Sequence, residues 1–516
     1  MKSRFKLNIL TTSDIHGYLL PINYADNTKS SKGLSILASA IKTFNRNNSI
    51  LLDIGDSIQG NPLMYFHQLN RSKYINPVAK LFNKIGYDYF IPGNHDFNYG
   101  KKYLKDFIKQ INAKTLCQNI YKEDHLVFKK GYDIKEFKNG PKILIIGATT
   151  KYIPNWENPK NIRNYTFRNP IEEVKNIINK HKNKVDLIIL AYHGGFEKDI
   201  LTGEEFVKDT GENQGYRLFK EIPDIDILLT GHQHRVICHK DGNRVIIQPG
   251  SNGSHLGVIE VEFSYERKHN VNSTNPYFLL AKDYVADIDC VNAIQKIEAD
   301  NQKFLDEVIG IVSENNLEIK DPFIARRDKH PIVDFINKIQ LDASHAMLSS
   351  TSLANIVTGF NKEITVRNVL STYIFTNTPV VVEINGLLLK KYLEKCAEYF
   401  ILIDGKITHN PRFSYPKVEH YNYDMVDGID YIIDLRKEFG NRIVSIKYKG
   451  KQIKESDKFS LVINNYRATG GGDFYMLKDL PVIKEIPFDI AELMINYIRT
   501  QKFLKIKEKK NIILLK

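Results

Sequence analysis

The stretch I-L-L-D-I-G-D-S, residues 50 to 57, starts as an apolar run and breaks off at a glycine followed by a carboxylate, Asp56. Ile50, Leu51 and Leu52 show no alternation of apolar with polar side chains, so the run reads as a strand buried on both faces. Four other runs end in the same manner. Ile9-Leu10 leads into S-D-I-H-G (13 to 17), Tyr89-Phe90-Ile91 into G-N-H-D (93 to 96), Val185 with Leu187 to Leu190 into A-Y-H-G-G (191 to 195), and Ile225 with Ile227 to Leu229 into G-H-Q-H (231 to 234). In open α/β sheets ligands bind beyond the carboxyl ends of the strands. Asp14, His16, Asp56, Asn94, His193, His232 and His234 are therefore expected to converge, although they are spread from position 14 to position 234.

These residue types suit a pair of cations. Asp14 and His16 stand two apart on a segment read as extended, so both side chains would point the same way and grip one ion. Asp56 has two carboxylate oxygens for a bridge between two ions, and Asn94 adds an amide oxygen. Three further imidazoles complete two shells of mixed nitrogen and oxygen, which suits Mn, Fe, Co or Zn better than Mg or Ca. Two such ions roughly 3.5 to 4 Å apart would activate a bridging water and hold phosphoryl oxygens. His95 follows Asn94, so its side chain leaves the ligand cluster yet stays close, and an imidazole suits protonation of a departing oxygen. Asp96 and Asn98 are both placed to orient it, and the residues alone do not choose between them. Singly, each motif has a bland explanation as a helix cap, a turn or a structural histidine. Their ordered recurrence at five strand ends carries the metal reading.

At 516 residues the chain should divide into two domains. Its 42% hydrophobic, 11% aromatic and 26% charged residues describe a folded soluble protein. The formal charge of +13 arises from 73 basic against 60 acidic residues, dispersed along the chain. That dispersal reads as a lysine-rich solvated surface, and no nucleic-acid partner is expected. Cys117, Cys238, Cys290 and Cys396 form no C-x-x-C pair, which fits a reducing compartment. Neither a signal-peptide run nor a spanning segment is read, so a cytoplasmic location without membrane attachment is expected. The oligomeric state is not legible.

From Phe5 to about Tyr284 strand-like runs alternate with helix-like ones at 34–45, 77–85 and 171–181, which predicts a largely parallel sheet. Residues 245–250 and 256–263 are expected as antiparallel strands that close this domain, residues 1–288. An amphipathic helix over 289–308, with Val291, Ile294, Ile297, Phe304, Leu305 and Val308 near helical spacing, is expected as the linker. A second α/β domain, 309–516, is read with helices at 331–345 and 387–399, strands at 380–384 and 459–463, and a hairpin at 443–452 around Lys449-Gly450. It holds no metal motif.

The ordered set D-x-H, G-D, G-N-H-D, H-G-G and G-H-x-H resembles the calcineurin-like metallophosphoesterase superfamily. The stretches L-L-D-I-G-D-S-I-Q-G-N-P-L (51 to 63), P-G-N-H-D-F-N-Y-G (92 to 100), T-G-E-N-Q-G-Y (210 to 216) and N-N-Y-R-A-T-G-G-G-D-F (464 to 474) are similar to the 5'-nucleotidase family within it. Among its branches they look like the bacterial 2',3'-cyclic-nucleotide 2'-phosphodiesterase/3'-nucleotidases. This resemblance implies an α/β/β/α metallophosphoesterase sandwich, a linker helix and a smaller α/β 5'-nucleotidase C-terminal domain. It implies one metal held by Asp14, His16, Asp56 and His234, a second held by Asp56, Asn94, His193 and His232, and His95 as the catalytic histidine. It also implies that Tyr423 and Tyr466 sandwich the nucleobase, an arrangement that gives affinity without reading base identity.

Beside Tyr466, Gly470, Gly471 and Gly472 permit positive φ and close backbone approach to a ligand, with an ordinary turn as the alternative. The chain departs from the family's 5'-nucleotidases at three places. It lacks their N-G-G-G-I-R element around 352–360. It has Gly472 where they place a ribose-binding aspartate, with Asp473 adjacent. It has Asn98 where they place aspartate. These departures favour the cyclic phosphodiesterase branch over a 5'-nucleotidase or nucleotide-sugar hydrolase. A nuclease, or a nucleotide-binding protein with a dead metal site, is the more distant alternative.

Overall fold

Along the strand Lys142–Thr149 successive side chains enter two different cores: Ile143 and Ile145 one, Leu144 and Ile146 the other. A strand covered on both faces needs no polar residue between its ends, which is why these runs read as continuous apolar sequence. The computed structural model describes residues 4–155, 157–205, 210–265, 269–313, 317–375, 377–478, 480–486 and 488–516. The chain forms two compact units, Met1–Asn301 and Gln302–Lys516.

The first unit is built on two six-stranded sheets. One runs, in spatial order, His269–Leu280, His255–Tyr265, Arg4–Thr12, Ser49–Asp53, Tyr89–Phe90 and Lys114–Thr115, and its last four strands are parallel. The other runs Val236–Asp241, Arg244–Pro249, Ile227–Thr230, Leu187–His193, Lys142–Thr149 and Tyr132–Glu136, with four parallel strands inside two antiparallel edges. The sheets face each other across Leu7, Ile9, Ile50 and Leu52 from the first and Ile145, Ile189, Leu229 and Ile247 from the second. Outside the second sheet, Ile171, Val174 and Ile178 of the helix Pro170–His181 and Phe219 of Gly215–Glu221 cover Leu144, Leu190 and Leu228. Outside the first, Phe82 and Phe107 of the helices Pro77–Ile85 and Gly100–Gln110 pack on Phe90. The result is the expected α/β/β/α sandwich.

Two expectations change. The parallel strands, which the alternation alone puts in a single sheet, are divided between the two sheets that the resemblance implies. The strand Arg244–Pro249 is also not an antiparallel closing strand alone: it lies parallel to Ile227–Thr230 in the second sheet. The chain crosses to the first sheet only after it, where His255–Tyr265 runs antiparallel to Arg4–Thr12.

The helix expected over 289–308 spans Ile288–Leu305, and the boundary between the units falls inside it. It stops short because Val308–Val312, a β-branched run, pairs with Glu363–Thr365 as a strand. The second unit carries a five-stranded sheet in the order Asp424–Asp427, Leu348–Ser352, Lys458–Asn464, Pro379–Asn385 and Val482–Glu485. Its helices Pro331–Ser344 and Gly386–Ala397 and the Ile443–Tyr448/Lys451–Gln452 hairpin lie where the sequence places them. Among the described residues no helix is long and apolar enough to cross a membrane.

Candidate active site

All five motifs follow strands whose carboxyl ends lie on one edge of the sandwich, and the structure brings all seven ligand-type residues together. Asp14, His16 and His234 form one group and Asp56, His193 and His232 another, with potential ligand atoms in each group within 4.8 Å of one another. Asn94 joins the second, its Oδ1 lying 2.9 Å from His232 Nδ1 and 3.1 Å from His193 Nε2. The backbone that presents them is unusual. Asp14, His16, Asp56, His232 and His234 have φ of 52°, 49°, 56°, 71° and 58°, the left-handed region that residues with a Cβ normally avoid. Asp14 and His16 are thus aimed by two left-handed turns, not by an extended segment as their spacing suggests. Main-chain hydrogen bonds hold these turns: Asp14 N–H to Gly55 O (2.9 Å), His16 N–H to Asp56 O (2.8 Å) and Asn252 N–H to Asp14 O (2.8 Å). Gly93 makes room for them, since a Cβ there would stand 2.3 Å from Asp56 Oδ1 and 2.6 Å from His193 Cε1.

The hydrogen-bond roles test whether cations fit. His193 Nδ1 donates to the Ile54 carbonyl, so its Nε2 lone pair faces Asn94 Oδ1 at 3.1 Å and Asp56 Oδ2 at 3.2 Å. His16 Nδ1 donates to the Gln59 carbonyl (3.0 Å), so its Nε2 faces His234 Nε2 at 3.1 Å. His232 Nε2 donates to Glu212 Oε1 (2.8 Å), so its Nδ1 faces Asn94 Oδ1. Lone pairs that face lone pairs call for a positive charge between them. Asp56 Oδ2 is buried, and among the described residues the only polar group it is seen to meet is His193 Nε2 at 3.2 Å. Without a metal that charge must come from protons. Burial alone would lower the His193 imidazole, but the carboxylates of Asp56 and Asp14 push it up to about 10. Burial would likewise raise the Asp56 carboxyl, yet the imidazoles of His193, His95 and His16 hold it well below the usual range. Asp56 thus sits with His193 and His232 and is also charge-coupled to His16 of the other group.

His95 stands beside this cluster on the turn His95–Phe97. Its backbone N–H donates to Asp56 Oδ1 (2.6 Å), and its ring lies 5.4 Å from that of His16. Asn98 orients it, with Oδ1 at 2.8 Å from His95 Nδ1, and Asn98 Nδ2 donates in turn to the buried Glu157 (2.7 Å). Asp96 does not take part. Its carboxylate accepts the backbone N–H groups of Asp56, Ser57, Ile58 and Gly93 at 2.8 to 3.1 Å, so it braces the loop that presents Asp56. The sequence assigns no role to either glutamate: Glu157 stands outside every quoted stretch, and Glu212, although inside T-G-E-N-Q-G-Y (210 to 216), acts through His232, which only the fold brings beside it.

The second-unit residues fall out differently. Tyr423 is 1% exposed and stacked on Tyr399 (centroids 4.9 Å apart, 19° between planes), with Phe400 against its edge. Such a ring is core, and it offers no face to a base. Tyr466 is half-buried, and Gly471 lets the backbone pass behind it, because a Cβ there would meet the ring at 2.6 Å. Gly472 likewise makes room for Asn422, and Gly470 (φ 86°) turns the chain, so the triglycine accommodates the protein's own side chains. Asp473 is exposed and paired with Arg412 at 3.2 Å. Half-buried Tyr421 meets Phe375 edge-on at 5.8 Å and lies in the same loop as Tyr423. Nothing in the sequence separates these two tyrosines.

Comparison with known proteins agrees with this division. Residues 7–236 match the calcineurin-like phosphoesterase family and residues 308–479 the 5'-nucleotidase C-terminal domain. A solved structure from Staphylococcus aureus, described as a candidate 5'-nucleotidase, is 31% identical with a TM-score of 0.91, covering 99% of this chain and 100% of that one. The chain belongs to the 5'-nucleotidase family of calcineurin-like metallophosphoesterases. A 2',3'-cyclic-nucleotide 2'-phosphodiesterase/3'-nucleotidase from Haemophilus influenzae is 25% identical over 96% of the chain and 85% of that protein. The trifunctional nucleotide phosphoesterase protein YfkN of Bacillus subtilis is 25% identical over 98% of the chain, which spans only 38% of its length. Calcineurin-like metallophosphoesterases use divalent metals, and the two donor groups described above fit that use.

Proposed function

We propose that this family member is a two-metal hydrolase of nucleotide phosphoesters that opens 2',3'-cyclic nucleotides and then removes the 3'-phosphate. The observation that carries the chemistry is the set of acceptors facing one another around Asp56, whose buried Oδ2 meets only His193 Nε2 among the described residues. Asp14, His16, Asp56 and His234 would hold one ion and Asp56, Asn94, His193 and His232 the other. Two divalent ions there, of Mn, Zn, Fe or Co, would supply a hydroxide nucleophile and neutralise phosphoryl charge. Glu212 keeps the proton on His232 Nε2, so that Nδ1 is the free ligand. His95 gives a proton to the ribose oxygen as its bond to phosphorus breaks. Tyr466 is the ring we assign to the nucleobase, with Gly471 behind it.

The substrate branch rests on Asn98 in the catalytic loop and on relatives carrying that activity in their names. A 5'-nucleotidase is the second reading, favoured by the 31% identical structure. Turnover of 2',3'-cyclic AMP, 3'-AMP and 5'-AMP in Mn buffer separates them: the first two should be hydrolysed, and cleavage of 5'-AMP alone refutes the branch. The four unpaired cysteines support a cytoplasmic location, which cell fractionation would refute by finding the protein outside the cytosol.

A further inference from the structure

Glu157 stands fifty-nine positions after Asn98 and outside every motif, yet it is 5% exposed and fully engaged with the catalytic loop. Its Oε1 accepts the Asn158 backbone N–H (2.8 Å) and Asn161 Nδ2 (2.9 Å), and its Oε2 accepts Asn98 Nδ2 (2.7 Å). Asn161 also donates to the Asn98 carbonyl at 3.0 Å, tying the same turn down twice. A backbone N–H can only donate, so Glu157 Oε1 is held as an acceptor, and in the ionised carboxylate Oε2 accepts as well.

That fixes Asn98. An amide has one donating and one accepting end, and Glu157 takes the donating end. The Asn98 Oδ1 must then face His95 Nδ1, where it stands at 2.8 Å. An oxygen acceptor at Nδ1 keeps a proton on that nitrogen. The proton His95 can surrender is the one on Nε2, and the ring stays in a single tautomer and orientation through the step.

We infer that Glu157 is a positioning residue for the leaving-group proton: acting through Asn98, it decides which imidazole nitrogen of His95 gives its proton to the departing oxygen. A neutral Asn98 alone has no means of choosing which of its ends meets the ring. The carboxylate one residue further out makes that choice and puts a negative charge behind it. This inference rests on the assignment of His95 as proton donor under the proposed function.

The test uses leaving-group dependence on the Mn-loaded enzyme. A nucleoside alkoxide needs a proton as it departs, whereas p-nitrophenolate does not. Glu157→Gln, whose amide can donate to Asn98 and turn it over, should lower kcat for 3'-AMP by about tenfold or more while p-nitrophenyl phosphate stays within about twofold. Equal losses on both substrates, or none on either, overturn the inference. His95→Ala serves as the control for the underlying assignment. If it shows no leaving-group dependence, the role given to His95 fails. If it shows that dependence and Glu157→Gln does not, only the role of Glu157 fails. Should Glu157→Gln not fold, nitrogen-15 NMR of the histidine rings in the Zn-loaded wild-type protein decides the matter. Neutral His95 should carry its proton on Nδ1, and a proton on Nε2 contradicts the inference.

Discussion

Asp14, His16, Asp56, His232 and His234 share a left-handed backbone, a conformation that costs roughly 1 to 2 kcal/mol for each residue bearing a Cβ. Five such residues around one point store strain that the surrounding hydrogen bonds must hold. The sequence shows which residues are of ligand type, because Asp, His and Asn declare their chemistry. It does not reveal φ, because nothing in the identity of an aspartate or histidine demands the left-handed region as a glycine would invite it. Tyr423 illustrates the opposite failure: an aromatic residue in the right place in a motif can still be core, and only packing on Tyr399 shows which. At this scale Glu212 gives a direct prediction. Glu212→Gln weakens the hold on the His232 tautomer and should reduce metal affinity about 10- to 100-fold, read by chelator competition. Unchanged affinity would remove Glu212 from the metal site.

Strands and helices in the first unit were largely legible because a run buried on both faces is apolar throughout. Which sheet each strand joins was not legible, since pairing depends on contacts distant in sequence: Ile227–Thr230 accepts Arg244–Pro249 in parallel, and no local pattern encodes that. Ile189 lies in the core shared by the two sheets, and Ile189→Ala should lower unfolding stability by about 2 to 5 kcal/mol in a urea titration. A much smaller loss would mean that the two sheets do not pack as described.

Asp53, at the end of the strand Ser49–Asp53, accepts from Thr12, Ser57 and Gly55 behind the Asp56 loop. Burial pushes its carboxyl up to about 7, from an ordinary 3.8. A raised carboxyl in the folded state favours the protonated form, so its contribution is fully present below pH 3.8 and is lost as pH rises through about 7. Asp53→Asn should flatten the fall in unfolding midpoint across that window, and a slope equal to that of the wild type would contradict the assignment.

At the level of the whole molecule, every ligand-type residue of the site lies in the unit Met1–Asn301. The division of the chain was readable from the absence of such motifs after about residue 300. The unit boundary was less so, because it falls inside the helix Ile288–Leu305, where nothing in the helical spacing marks it. If the clustered carboxylates and imidazoles of this unit hold metal, its stability will depend on metal. An ion held at a hundred times its dissociation constant stabilises the native state by about 2.7 kcal/mol. Mn should therefore raise the melting temperature of the untreated protein, and EDTA should lower it. No response to either would leave the acceptor cluster without a physical explanation.

Anomalous diffraction at the Mn edge, from crystals grown with Mn, decides whether these residues form a dinuclear centre. Two peaks are expected roughly 3.5 to 4 Å apart, one among Asp14, His16 and His234 and one among Asn94, His193 and His232, with Asp56 between them. A single peak, or density away from Asp56, would contradict it.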